Sequence, residues 1–82
     1  MDRGPINKKK MQSLCLQALE ELGQATYHEI AEWLWYKGHV VVVNGNYSNP
    51  RLSELKKAGR VQVVGRQLSE YGVYCSIYEL VV

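Results

Sequence analysis

The chain has 82 residues, of which 46% are hydrophobic and 22% are charged. This size and balance predict one small folded domain and exclude a disordered chain. The longest apolar runs, Trp33–Tyr36 and Val40–Val43, are far shorter than the roughly 20 residues of a membrane span. Lys8–Lys10 precede an amphipathic pattern rather than an apolar block, so no signal peptide is predicted. We expect a cytoplasmic protein with no membrane partner.

The net charge of +2 is unevenly distributed along the chain. Residues 1–10 carry a charge of +3, residues 11–45 carry −3, residues 46–66 carry +4 and residues 67–82 carry −2. The charged residues of the central positive block are Arg51, Lys56, Lys57, Arg60 and Arg66, against Glu54. This polarity is what a surface that faces nucleic acid requires.

The cysteines and histidines give no sign of a metal site. Cys15 and Cys75 stand far apart and outside any CxxC pair, and each falls in an apolar pattern. Two buried, reduced thiols are therefore expected. With His28 and His39 they match no zinc spacing, so we predict neither a metal nor a cofactor.

In chain order, a flexible basic tail at residues 1–9 precedes one domain at residues 10–82. A first helix is predicted from about Asn7, because apolar residues recur at the spacing of one helix face. These residues are Met11, Leu14, Cys15, Ala18, Leu19 and Leu22. Gly23 is typical of the position that follows a helix end.

A capping box predicts the start of the second helix. Thr26 and Glu29 have the spacing at which each side chain bonds the other residue's backbone N–H. The helix should end near Lys37–Gly38, with Ile30, Leu34 and one tryptophan in the core. The two tryptophans are about 200° apart on the helix, so only one of them can face inward.

Residues 39–46 are predicted to be either a short strand or a rigid connector, because valine favours extended structure and Asn44-Gly45 favours a turn. The third helix should begin between Tyr47 and Asn49. Ser48 or Asn49 can cap it, and Pro50 suits its first turn. Its inward-facing residues are Leu52 and Leu55, and its end is at Gly59.

Two strands are expected to close the chain. Arg60–Gln67 and Val73–Val81 have strand patterns, and Leu68–Gly72 between them is typical of a turn. Their closeness predicts an antiparallel hairpin. The fold class is therefore α+β, a three-helix bundle with a C-terminal β-hairpin.

This order of elements resembles a winged helix-turn-helix domain over roughly residues 10–81. Residues 25–31 (ATYHEIA) resemble the start of that family's second helix, with a tiny strand just before it. Residues 50–61 resemble its recognition helix and the beginning of its wing, and residues 76–80 its closing strand. The most similar variants are small proteins of bacteria and their phages. The connection at residues 39–46 is longer than is usual in the family.

The resemblance implies binding of double-stranded DNA, in transcriptional regulation or in phage or mobile-element DNA transactions. The third helix would enter the major groove and the hairpin would act as the wing. Bases would be nearest Tyr47, Ser48, Asn49 and Arg51, and the backbone nearest Lys56, Lys57 and Arg60. At the wing tip, Arg66, Gln67 and Ser69 would reach a flanking groove or phosphate. The lysine run at residues 8–10 would add contacts if the tail lies toward the duplex.

Each of these residues also has a purely structural interpretation. Arg51 can be a solvated residue paired weakly with Glu54, Asn49 a cap, and Lys56 and Lys57 residues favoured by the helix dipole. Tyr47 can belong to the core.

The alternative function is protein–protein interaction without direct DNA reading. An exposed strand edge would then pair with a second copy, as a homodimer, or with another subunit. Val40–Val43 and the C-terminal strand are the candidate edges. We expect no enzyme, because no phosphate loop, nucleophile elbow or catalytic Cys/His spacing occurs.

Overall fold

The computed structural model describes residues 8–44, 47–69 and 72–81. The elements in chain order are helix α1 (Lys8–Leu22), strand β1 (Gln24–Ala25), helix α2 (Tyr27–Tyr36), helix α3 (Asn49–Lys57), strand β2 (Val61–Leu68) and strand β3 (Tyr74–Leu80). The predicted α+β class is confirmed at this level, as three helices and a three-stranded antiparallel sheet within the described ranges. No helix in those ranges is long and apolar enough to cross a membrane.

Helix α1 follows its predicted apolar stripe except at its two ends. It begins at Lys8, within the predicted tail; residues 1–7 lie outside the described residues. Five of the six stripe residues are buried, whereas Leu22 in the last turn is exposed. The helix ends at Gly23, whose φ of +84° is readily adopted by glycine.

Helix α2 begins with the predicted capping box. The Thr26 backbone N–H donates to Glu29 Oε1 at 2.9 Å, and the Glu29 N–H donates to Thr26 Oγ1 at 3.3 Å. Ile30 and Leu34 are buried, and of the two tryptophans Trp33 lies in the core while Trp35 is exposed. The helix ends before Lys37, as predicted.

Loss of this capping box should destabilise the fold measurably. Thr26→Ala removes the hydroxyl that accepts the Glu29 N–H, and we expect the free energy of unfolding to fall by about 0.5–2 kcal/mol. Thr26→Ser keeps the hydroxyl and is the matched control. Urea unfolding of the three proteins measures the difference, and equal losses in both variants would show that the lost methyl group, not the cap, is responsible.

The connector between α2 and α3 is not a strand. Val40 is buried, but Val41–Val43 are exposed and residues 39–44 form no strand, so the strand alternative is wrong for this described part of the connector. Val40 packs in the core and thereby holds the connector in place. The valines that follow it have no strand to pair with in the described sheet. Of the predicted Asn44-Gly45 turn, Gly45 lies outside the described residues.

The sheet has the strand order β1-β3-β2, with both pairs antiparallel. The hairpin is confirmed, with each strand bounded within one residue of its prediction. Val64 is an extra residue in β2, because the register shifts between Val63 and Gly65. Ala25 of β1 pairs with Tyr78, which ties the start of α2 to β3. In the turn, residues 70–71 lie outside the described residues.

The core lies between the three helices and the inner face of the sheet. Its largest fully buried side chains are Leu19, Ile30, Leu34, Leu52, Cys15 and Ser48. Both cysteines are free and buried, and burial raises the pKa of the Cys15 thiol to about 12. This packing holds α3 with Leu52 and Leu55 inward and its other side toward solvent.

Candidate nucleic-acid interface

The outer side of α3 presents a polar stripe of three residues. Asn49, Ser53 and Lys57 are four positions apart and all exposed, and about 40° separates each from the next around the helix axis. Leu52 and Leu55 are buried on the side that faces the core. The stripe can therefore present an amide, a hydroxyl and an ammonium to the same ligand surface.

Positive charge continues from this stripe into the sheet. Lys56 and Lys57 occupy the last turn of α3, Arg60 follows in the turn to β2, and Arg66 lies farther along β2. All four side chains are exposed, and none makes an ion pair with another described residue. We call these four residues, together with the α3 stripe, the basic surface.

The start of α1 lies beside α3. Lys8 Nζ is 3.5 Å from Glu54 Oε2, although the two residues are far apart in sequence. Lys8 at the start of α1 is therefore brought next to α3, whereas the sequence left open on which side of the domain the lysine run lies. Lys8 and Lys9 are both exposed there.

Arg51 is held at the junction of α1 and α3. Its Nη2 donates to Glu54 Oε2 at 2.9 Å, while its Nε lies 2.8 Å from Oε1 without forming a hydrogen bond. Its side chain is only 21% exposed, and Glu54 is itself fixed by Gln12, whose Nε2 donates to Oε1 at 2.9 Å. The pair is therefore more restrained than the solvated i, i+3 pair that the sequence predicts. A DNA contact by Arg51 stays a prediction.

These contacts perturb the ionisation of Glu54. The hydrogen bond from Gln12 lowers the pKa of this carboxyl below its ordinary 4.5, and Arg51 and Lys8 lower it further, while desolvation opposes them. Because the folded-state pKa is below the unfolded value, the carboxylate stabilises the fold above about pH 4.5. This contribution is lost as the pH falls through the lowered folded-state pKa.

The acid dependence of stability tests this description of Glu54. Glu54→Gln should be less stable than the wild type near neutral pH, and the difference should shrink as the pH falls below about 4.5. Glu20→Gln, which removes an exposed carboxylate without a described ion pair, is the control. Thermal unfolding across this pH range measures both. A constant difference for Glu54→Gln would contradict the lowered pKa.

Two residues at the start of α3 face the interior. Ser48 is fully buried, and its hydroxyl donates to the Tyr27 carbonyl at 2.7 Å. It occupies the N-cap position of α3, one of the two predicted, but makes no side-chain capping bond, and its buried hydroxyl is not accessible to DNA. Tyr47 is partly buried and packs against the core, as its structural interpretation predicts.

The two polar residues near the hairpin tip lie beside acidic groups. Gln67 and Ser69 line a cavity of about 180 Å³ together with Thr26, His28, Glu29, Glu32, Leu68 and Cys75. The Ser69 hydroxyl accepts the Val73 N–H at 3.3 Å. A polyanion that reached Gln67 or Ser69 on this side would meet glutamates, so Arg66 is the better candidate on the hairpin. Contacts by Gln67 and Ser69 stay predictions.

Apart from Glu54, the acidic residues of the described ranges lie on elements other than α3. Glu20 and Glu21 are in the last turns of α1, Glu29 and Glu32 on α2, and Glu79 on β3. Glu21 pairs with Lys37, and Glu79 accepts hydrogen bonds from glutamine side chains of both neighbouring strands. The charge separation of the sequence is thus preserved in the fold.

Sequence reasoning identified the Arg51–Glu54 pair but not Ser53, nor Gln12 and Lys8 as further partners of Glu54. The spacing of Ser53 between Asn49 and Lys57 would have identified it, because residues four apart share a helix face. Gln12, by contrast, is 42 positions from Glu54, and nothing local predicts that contact.

Comparison with protein-family models gives no match, and no curated protein matches the sequence. The interface must therefore be judged from its own geometry and charge.

Proposed function

We propose that this protein is a winged helix-turn-helix domain that binds double-stranded DNA with a sequence preference. In this proposal the outer side of α3 enters the major groove and the β2–β3 hairpin is the wing. Its role is binding rather than catalysis, in transcriptional regulation or phage-like DNA transactions in the cytoplasm.

The observation that carries the proposal is the two-sided character of α3. Its inner side is fixed by buried Leu52 and Leu55. Its outer side exposes Asn49, Ser53 and Lys57, and the side-chain amide of Asn49 is suited to reading a base. Exposed cations without described ion pairs, Lys56 and Arg60, follow directly and suit phosphate oxygens. A solvated helix needs no such concentration of positive charge on one side.

Salt dependence and sequence selection test this proposal together. A fluorescent duplex of mixed sequence should bind at about 50 mM salt and weaken steeply toward about 200 mM, because each phosphate contact adds about 0.9 to the logarithmic salt slope. Selection from a random duplex pool should then enrich a common motif. An absence of duplex binding at low salt would contradict the proposal, whereas binding without enrichment would remove only its sequence preference.

A second candidate function, protein–protein interaction, is favoured by the exposed edge of β2. The predicted candidate edges were wrong, because β3 lies between β1 and β2 and Val40–Val43 form no strand. Strand β2 lies at the edge of the described sheet, and Val63 and Val64 on it are exposed. Such an edge can pair with a strand of a second copy or of another subunit. Val64 is the bulge residue, which limits regular pairing there.

Sedimentation distinguishes this second candidate. An edge-paired homodimer should show an average mass that rises with protein concentration, and Val63→Lys should lower it, because a charge on an edge strand opposes pairing. Leu22→Lys, which replaces an exposed leucine on α1, is the control. A monomer at all concentrations, with no partner recovered from cells, would contradict this function.

A further inference from the structure

Glu54 is the one acidic residue on α3, and its carboxylate accepts hydrogen bonds from side chains of two helices. Gln12 Nε2 and Arg51 Nη2 each donate to it at 2.9 Å, and Lys8 Nζ lies 3.5 Å away. Lys8 and Gln12 lie in the first two turns of α1, and Arg51 lies in the first turn of α3. A carboxylate thus lies where the proposed function places a polyanion.

The three donors are those that a phosphate group recruits. Guanidinium, ammonium and amide N–H groups all bind phosphate oxygens in nucleic-acid complexes, and arginine binds carboxylate and phosphate with the same planar group. Here Arg51 Nη2 already donates to the Glu54 carboxylate, and Arg51 Nε already lies within ion-pairing distance of it. A phosphate that used these donors would have to displace the carboxylate.

We propose that Glu54 is an intramolecular competitor for DNA phosphate, and that it limits the affinity of this protein for the duplex backbone. The proposal rests on the DNA-binding function proposed above. Glu54 satisfies Arg51, Gln12 and Lys8 in the free protein and repels phosphate while it does so. Its side chain is 32% exposed, so the carboxylate can turn into water when a phosphate takes its place.

Two isosteric substitutions test the competition. Glu54→Gln removes the competing charge and frees Arg51, and we expect the affinity for a mixed-sequence duplex at about 50 mM salt to rise roughly tenfold, with the logarithmic salt slope steeper by about 0.9. Glu20→Gln is the control, because Glu20 is exposed in the last turns of α1 and makes no ion pair with another described residue. Its affinity should change less than about twofold.

A double-mutant cycle with Arg51→Gln separates release of donors from a general change in charge. If Glu54 acts by withholding Arg51, the gain from Glu54→Gln should shrink severalfold when Arg51 is already replaced. A long-range charge effect would give the same gain in both backgrounds and would overturn the proposal. Circular dichroism checks folding throughout, and Glu54→Ala replaces Glu54→Gln if the latter does not fold.

The remaining outcomes are also decisive. Lower affinity in Glu54→Gln would show that Glu54 orients Arg51 for DNA, and equal effects of Glu54→Gln and Glu20→Gln would show no local competition; either result overturns the proposal. If neither the wild type nor Glu54→Gln binds duplex at low salt, the proposed DNA-binding function fails and the competition fails with it. Binding by the wild type with no change in Glu54→Gln removes the competition alone.

Discussion

Leu52→Ala is expected to lower the free energy of unfolding by about 2–5 kcal/mol. Leu52 is fully buried in the core on the inner side of α3, so its truncation removes apolar burial and leaves a cavity. For a domain of this size the loss corresponds to a fall in Tm of roughly 10–30 °C. It is also a large part of the roughly 5–15 kcal/mol that such folds have in total.

The matched control for this substitution is Leu68→Ala. Leu68 is the same residue type, but it is 55% exposed on β2, and we expect its truncation to change stability by less than about 1 kcal/mol. Urea and thermal unfolding measure both variants. Comparable losses would mean that α3 does not pack through Leu52 as described, and the exposure of the Asn49, Ser53 and Lys57 stripe would then be in doubt.

Removal of three cations of the basic surface should cost the largest part of duplex affinity. In the variant with Lys56, Lys57 and Arg60 all replaced by glutamine, we expect the affinity at about 50 mM salt to fall on the order of a hundredfold and the logarithmic salt slope to fall by up to about 2.7. These side chains are exposed and have no described ion pair, so their loss should leave stability nearly unchanged. Fluorescence anisotropy across a salt series measures both quantities.

A single-charge comparison controls for net charge. Lys57→Gln should reduce the salt slope by about 0.9, whereas Lys37→Gln should leave it unchanged. Lys37 follows α2, pairs with Glu21 at 3.2 Å and lies over the Trp33 ring, away from α3. Equal effects of the two substitutions would indicate a response to total charge rather than a located interface.

Most elements could be predicted from the sequence because their signals are local. The apolar stripe of α1, the Thr26–Glu29 capping box and the hairpin alternation each depend on residues a few positions apart. The errors arose where a distant contact intervened. Ser48 has the residue type of a cap, but its hydroxyl bonds the Tyr27 carbonyl instead, and Val41–Val43 favour extension without a strand to pair with.

The candidate site could be predicted only in part, for the same reason. The positive charge of residues 46–66 was visible in the sequence, but its accessibility was not. Lys56, Lys57 and Arg60 are exposed without described ion pairs, whereas Arg51 of the same block is turned toward α1 and held by Glu54. The helical phase relative to the core decides which side of α3 faces solvent, and side-chain partners from α1 decide which charges remain available.

By itself the sequence determined the three helices and the C-terminal hairpin, the buried side of each helix and the separation of charge along the chain. These follow from periodicity, turn chemistry and composition, which act over a few residues. The tertiary structure decided that Trp33 rather than Trp35 enters the core, that the lysines of α1 lie beside α3, and that Gln12 and Arg51 meet at Glu54. Those outcomes depend on how elements far apart in sequence pack together, and no local pattern encodes that packing.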